Sequence, residues 1–204
     1  MKRKNKVILT SILIVAFVIV MLLVILGKTV GFDNFIYEMI PKNDVLTSFM
    51  KVVTLIGEDI TIIVVALVAF LSIKEKRRAI FAPLSALSVS IMNLGLKSII
   101  RRPRPIGIAL IKESGFSFPS GHSITAIVFY GFIIHLIHQT DLSHKCKTVI
   151  TISLAVAVFL VGLSRIYLGV HYATDVLGGF LLGDVYLTVF SYLYDKSCGK
   201  KTSK

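Results

Sequence analysis

The sequence predicts an all-α polytopic membrane protein, with six transmembrane helices in one bundle and the active site at its outer face. Three observations carry that expectation. Of the 204 residues, 55% are hydrophobic and only 17% charged. The mean hydropathy is +0.83. The apolar residues gather in runs of about 20, the length needed to cross a ~30 Å hydrocarbon core. No repeat, low-complexity tract or linker divides the chain, so 1–204 is expected to be one domain. The formal net charge of +12 does not indicate nucleic acid, because the basic residues lie between apolar runs and not on a solvated domain face.

The first run, Val7 to Gly27, follows the basic stretch Lys2-Arg3-Lys4-Asn5-Lys6. It is longer than the roughly 7–15 apolar residues of a cleaved signal peptide, so a retained helix is expected. From Gly31 to Ser48, Phe32, Phe35, Ile36, Tyr37, Met39 and Ile40 alternate with acids. An amphipathic helix in the membrane interface and an ordered loop both fit that pattern. Further spans are expected near Val52–Ile73, Ala79–Ile99, Ser123–His138, Thr148–Leu163 and Ala173–Tyr194. Gly57, Glu58 and Asp59 interrupt the start of the second span and are expected at the interface. Short connections make neighbouring helices antiparallel.

Basic residues set the orientation. Of the 23 Lys and Arg residues, 14 lie at the N-terminus, in the Lys74–Arg78 turn, at Lys145 and Lys147, and in the tail. That side, with both termini, is expected in the cytoplasm. Cys146 and Cys198 fall there and are expected as reduced, free thiols. Five of the remaining nine cluster between Lys97 and Lys112, on the side that ordinarily lacks them.

Three polar clusters fall at this outer face. In Lys97-Ser98-Ile99-Ile100-Arg101-Arg102-Pro103-Arg104-Pro105, lysine supplies a point charge and arginine a planar fork for phosphate-like oxygens. A flank snorkelling to headgroups is the bland alternative. In Phe118-Pro119-Ser120-Gly121-His122-Ser123, a helix start offers free backbone N–H groups to an anion, with His122 as a proton donor or acceptor. A simple Ser120 N-cap is the alternative. The third runs from Ser164 to Asp175. There His171 and Asp175, four apart, face the same way on a helix. A carboxylate bonded to one ring nitrogen fixes the tautomer and frees the other nitrogen to attack. Arg165 faces the same pocket.

Lys97-x6-Arg104-Pro105, Pro119-Ser120-Gly121-His122 and Ser164-Arg165-x5-His171-x3-Asp175 resemble the three signatures of the type 2 phosphatidic acid phosphatase family, in the right order and with every position filled. The resemblance covers about 97–175. It implies a lipid phosphatase of the bacterial membrane branch, with His171 as the nucleophile, Asp175 orienting it, and His122 protonating the leaving oxygen. Lys97, Arg104, Arg165, Ser120 and Gly121 would hold the phosphoryl oxygens, while Ser164 and Pro105 orient Arg165 and the turn. Undecaprenyl pyrophosphate, phosphatidylglycerophosphate and phosphatidic acid all fit as substrates. No metal or cofactor is expected, since three cations and helix-end amides can stabilise the charge and the outer acids look scattered. Arg101 and Arg102 are not signature positions and are expected at headgroups, at a second phosphate or in solvent.

Asp184, deep in the last span, calls for a partner. His135 stands at similar depth, which suggests an Asp184–His135 contact. Competing functions are a phosphotransferase using the same site, an inactive structural relative, and a transporter or scramblase. The last would show polar residues along several helices, whereas here they cluster at one end.

Overall fold

The computed structural model describes residues 3–73 and 75–198. Among these every regular element is a helix. Helix α1 (Arg3–Ile25) is followed by the short α2 (Val30–Met39), then α3 (Asp44–Thr54), a 3₁₀ turn (Leu55–Gly57) and α4 (Asp59–Ser72). A single turn, α5 (Lys76–Ala79), leads into α6 (Phe81–Ile100), α7 (Gly121–His138), α8 (His144–Tyr167) and α9 (Ala173–Cys198). Lys2, Lys74, Lys200, Lys201 and Lys204, which contribute to the orientation expectation, lie outside the described residues.

Five helices (α1, α6, α7, α8 and α9) are long and apolar enough to cross a membrane. The sixth expected span is broken. Its halves, Asp44–Gly57 and Asp59–Ser72, meet at 49°. The interruption seen in the sequence at Gly57-Glu58-Asp59 is therefore a bend, and it lies against the functional site. At 14 residues, α4 is about 21 Å long. The mixed segment after α1 forms a helix, α2, in place of a loop.

Helix α7 is the hub and packs on α6, α8 and α9. Its inner end builds an aromatic core in which the Phe132 ring meets Phe190 at 5.1 Å and Tyr194 at 5.2 Å, both edge to face. Its other end starts the functional site. Helices α7 and α9 run in the same direction, and small residues fix their register. A Cβ added at Gly179 would stand 3.1 Å from the Ser123 Cβ, and one at Gly183 only 2.0 Å from the Ile127 side chain.

This register corrects one expectation. With Gly183 beside Ile127, His135 lies level with residues well beyond Asp184. Its Nε2 instead reaches Asp195 Oδ1 at 2.9 Å, and Gln139 donates to the same oxygen at 3.0 Å. Counting depth from the helix starts fails because α9 begins about one turn further out than α7.

Candidate active site

The ends of α6, α7, α8 and α9 and the segment 101–120 converge at one end of the bundle and bring all three motifs together. Gly169, at φ +68°, turns the chain after α8, and a Cβ there would fall 2.5 Å from the Ile108 carbonyl oxygen. The turn carries His171 back under that segment: its own amide donates to the Arg165 carbonyl at 3.3 Å, and its side chain is only 1% exposed.

The contacts of His171 define its proton. Arg104 Nη1 lies 3.1 Å from Nε2, and guanidinium nitrogens only donate. Nε2 is thus the acceptor, and Nδ1 carries the hydrogen. Nδ1 faces Ser117 Oγ at 3.3 Å and Asp175 Oδ2 at 3.4 Å. Burial pushes the His171 pKa down to about 4, assisted by Lys97 and Arg104 and opposed by Asp175. At neutral pH the ring is a neutral Nδ1–H tautomer with its Nε2 lone pair toward the cations.

Asp175 is fully buried and fully bonded. Ser117 Oγ and the Tyr172 amide (2.8 Å) donate to Oδ2, and Arg102 donates to Oδ1 at 2.6 Å. Arg102 is therefore neither at headgroups nor in solvent, a correction to its expected placement. Arg101, by contrast, is exposed and closes α6 in the left-handed region at φ 51°.

The phosphate-type donors are held largely by backbone carbonyls. Lys97 Nζ bonds the Phe116 oxygen at 2.5 Å. Arg104 spans the Ser114 (2.8 Å), Gly115 (3.0 Å) and Val170 (2.8 Å) oxygens. Arg165 is completely buried: Nη1 bonds Thr54 Oγ1 at 2.7 Å, Nη2 pairs with Glu113, and Nε has no hydrogen-bond partner. The Ser164 hydroxyl donates to its own helix at Val161, 2.6 Å away, and does not orient Arg165 as expected. Ser120 is not a side-chain cap of α7. Its hydroxyl accepts from Ser123 at 2.9 Å, and its amide ties to the Asp175 carbonyl at 3.0 Å. Gly121 opens α7 against Asn93, whose Nδ2 a Cβ would meet at 3.3 Å.

Two acids enter the site that the sequence left scattered. Glu58 Oε1, at the bend, lies 3.2 Å from His122 Nε2, within ion-pair range but not aligned as a hydrogen bond. Glu113 pairs with Arg165 and lies 3.5 Å from Arg104. Burial raises the Glu113 pKa, but Arg165, His122 and Arg104 outweigh it, so the net shift is downward. Gly57 makes room for this corner, since a Cβ there would meet the His122 ring at 3.2 Å. One ligand atom from each of Glu58, Glu113 and His122 fall within 4.8 Å of one another, a set able to hold a cation. The expectation that the outer acids are scattered, with no carboxylate cluster beside the histidines, is thus overturned at His122. Glu113 is already neutralised by two guanidinium groups, which a cation there would have to displace. No local pattern marks Ser117. The signals for the acids were the interruption at Gly57-Glu58-Asp59 and an acid directly after the basic stretch, at Lys112-Glu113.

The contacts run without a gap from Asp175 through His171, Arg104 and Glu113 to Arg165, with His122 beside Glu113. The arrangement offers a neutral imidazole lone pair, a second histidine and three cations converging on one place, which suits the attack of nitrogen on an anionic phosphorus centre.

The chain belongs to the PAP2 superfamily, whose family model matches residues 78–198. It is 50% identical over 95 residues to phosphatidylglycerophosphatase B of Bacillus subtilis, a stretch that covers 46% of this chain and about half (46%) of that protein's length. It is 27% identical to an undecaprenyl-diphosphatase of Sulfolobus acidocaldarius over 76% of this chain and 75% of that one. Among solved structures, a transmembrane PAP2-type phosphatidylglycerolphosphate phosphatase from B. subtilis superposes with a TM-score of 0.85 and 30% identity, covering 95% of this chain and 98% of that chain. Aquifex aeolicus LpxE shares the fold at a TM-score of 0.63 and 22% identity, over 82% and 94% of the two chains. This is a multi-span membrane protein.

Proposed function

We propose that this protein is a lipid phosphatase that removes a phosphate group from a lipid phosphate or diphosphate at the extracytoplasmic face, through a phosphohistidine and without a metal. The observation that carries the reading is the tautomer of buried His171, whose unprotonated Nε2 faces Arg104 while its Nδ1–H faces the fixed Asp175 carboxylate. Support also comes from relatives named as lipid phosphatases and from the excess of basic residues on the side of both termini, which favours that side as cytoplasmic.

In the first step the substrate phosphate enters between Arg104 and Arg165 and displaces the Glu113 carboxylate from them. His171 Nε2 forms a bond to phosphorus as the bond to the lipid oxygen breaks, and His122 gives that oxygen its proton. In the second step water attacks the phosphohistidine and passes its proton to His122. Phosphate leaves, and Nε2 regains its lone pair. Lys97, Arg104 and Arg165, with the Ser120–Gly121 helix start, hold the equatorial oxygens.

The substrate's hydrocarbon has a place. A groove of about 690 Å³ between α4 and α6 is lined by Ile62, Ala66, Phe70, Leu84 and Leu87. It reaches Asp59, next to Glu58, and Thr125, one turn below His122. An acyl or isoprenoid chain lying there would put its head at the histidines.

Phosphate release by the purified, detergent-solubilised protein in EDTA tests the reading, with phosphatidylglycerophosphate, undecaprenyl pyrophosphate, phosphatidic acid and a soluble phosphomonoester as substrates. Release that survives EDTA and is lost in His171→Ala is expected. Failure of folded protein to release phosphate from any lipid would overturn it.

A further inference from the structure

Behind the catalytic carboxylate stands a layer of residues that none of the three motifs contains. Arg102 Nη1 donates to Asp175 Oδ1 at 2.6 Å and to Thr174 Oγ1 at 2.8 Å. Its Nη2 donates to Asp33 Oδ2 at 2.6 Å and to Thr29 Oγ1 at 3.0 Å. The guanidinium lies over the Tyr172 ring, 4.1 Å from its centroid. Asp33 Oδ1 accepts from the Thr174 amide at 2.9 Å. The Asp33 and Asp175 side chains are both 0% exposed, and Arg102 is 10% exposed. Thus α2, remote in sequence, grips the first turn of α9 both directly, from Asp33 to Thr174, and through Arg102.

The charges in this layer do not balance. Two buried carboxylates share one guanidinium, so Asp33, Arg102 and Asp175 together carry one net negative charge while His171 is neutral. That charge faces His171, with the Lys97 and Arg104 cations also acting on Asp175. It gains a nearer positive partner when His171 becomes positive, as its ring does once Nε2 is bonded to phosphorus and Nδ1 keeps its hydrogen. A fixed charge aimed at where the opposite charge develops favours the reaction over the resting state. A plain staple between α2 and α9 would not need this imbalance.

We propose that Arg102 and Asp33 are positioning residues for the catalytic pair, holding the Asp175 carboxylate in place and setting how much negative charge it presents to His171. The inference rests on His171 being the nucleophile. Neither residue contacts the phosphate donors, so both act through Asp175 and leave phosphate binding alone.

The test is steady-state kinetics of Asp33→Asn and Arg102→Gln across pH 3–8, with inorganic phosphate as competitive inhibitor and Tm measured in detergent. The groups facing His171, namely Lys97 from α6, Arg104 and Ser117 from the segment 101–120 and Asp175 from α9, are the same in both variants, as is Tyr172 beside it. Asp33→Asn makes the layer neutral. It is expected to lower kcat by about 10–100-fold, leave KM and the phosphate Ki within about twofold, and move the acid limb of kcat/KM down. Arg102→Gln makes the layer doubly negative and moves that limb up by about one pH unit or more. A structural loosening would shift both variants the same way. Where Arg102→Gln does not fold, Arg102→Lys retains the charge but not the fork and is expected to lower kcat with the limb unmoved. Folded Asp33→Asn protein with unchanged kcat, limb shifts of the same sign, or a loss confined to KM and Ki would overturn the proposal. Full activity in His171→Ala would instead remove the nucleophile on which it rests, and so separates the two failures.

Discussion

Arg104 Nη1 stands 3.1 Å from His171 Nε2. This contact puts the imidazole hydrogen on Nδ1, and it places a cation where the proposed reaction brings the phosphoryl oxygens. The same guanidinium is clasped by the Ser114, Gly115 and Val170 carbonyls, so its position is set by backbone on both sides of the site.

Arg104→Lys therefore fails to rescue. An ammonium cannot reproduce the fork that spans those carbonyls and His171. Losing one such donor is expected to lower kcat/KM by about 10²–10³-fold, with the Tm in detergent less affected than in Arg104→Ala. Steady-state assays on both variants check this.

The acid side of the pH profile follows from His171. Burial holds its pKa at about 4, below its ordinary value near 6.5. His171 stays neutral as the pH falls from 7 to 5, so the proposed reaction predicts an acid limb of kcat/KM well below pH 6. The stability consequence has the same sign. The unfolded chain binds a proton at this histidine below about pH 6.5 and the folded one does not. Its contribution is thus complete above about 6.5 and is lost as the pH falls toward 4. Glu113, also shifted down, adds stability that is lost below the ordinary carboxylate range. A Tm that falls on acidification from pH 7 to 4 is expected, and a Tm that rises would contradict this.

Glu113 occupies the guanidinium groups that the proposed reaction assigns to the phosphate. Glu113→Gln should lower the Tm, because Arg165 then holds a buried charge without its partner. Added inorganic phosphate should restore more of the Tm in the variant than in the parent, by linkage to tighter binding. Calorimetry or dye-based melting with a phosphate titration measures both effects.

At the other end of the bundle, His135 and Asp195 are partly exposed and distant from the histidines of the site. Asp195→Asn is expected to cost less than about 1 kcal/mol and to leave kcat/KM within about twofold.

Much of this was legible in the sequence. Hydrophobic runs mark α1, α6, α7, α8 and α9, because lipid demands long uninterrupted helices. The i, i+4 spacing of His171 and Asp175 announces their contact, and the motifs announce Arg104 and Arg165. What stayed hidden depends on register and on long-range contact. Asp195 could not be told from Asp184 without the close approach of Gly183 to Ile127. Arg102 looked like any interfacial arginine until Asp33, from a helix elsewhere in the chain, met it. Glu58 became a site residue only because the second span breaks at 49° and turns the carboxylate onto His122.

The most direct test of the account is to trap the intermediate. Rapid-quench experiments with a lipid substrate labelled in its terminal phosphate, on the parent and on His122→Ala, would show whether the chain itself carries the phosphoryl group. The account predicts an acid-labile, alkali-stable label on Nε2 of His171 in the parent, with both its formation and its loss slowed in His122→Ala, because His122 serves both steps. Turnover with no labelled protein, or label on any other residue, would contradict it.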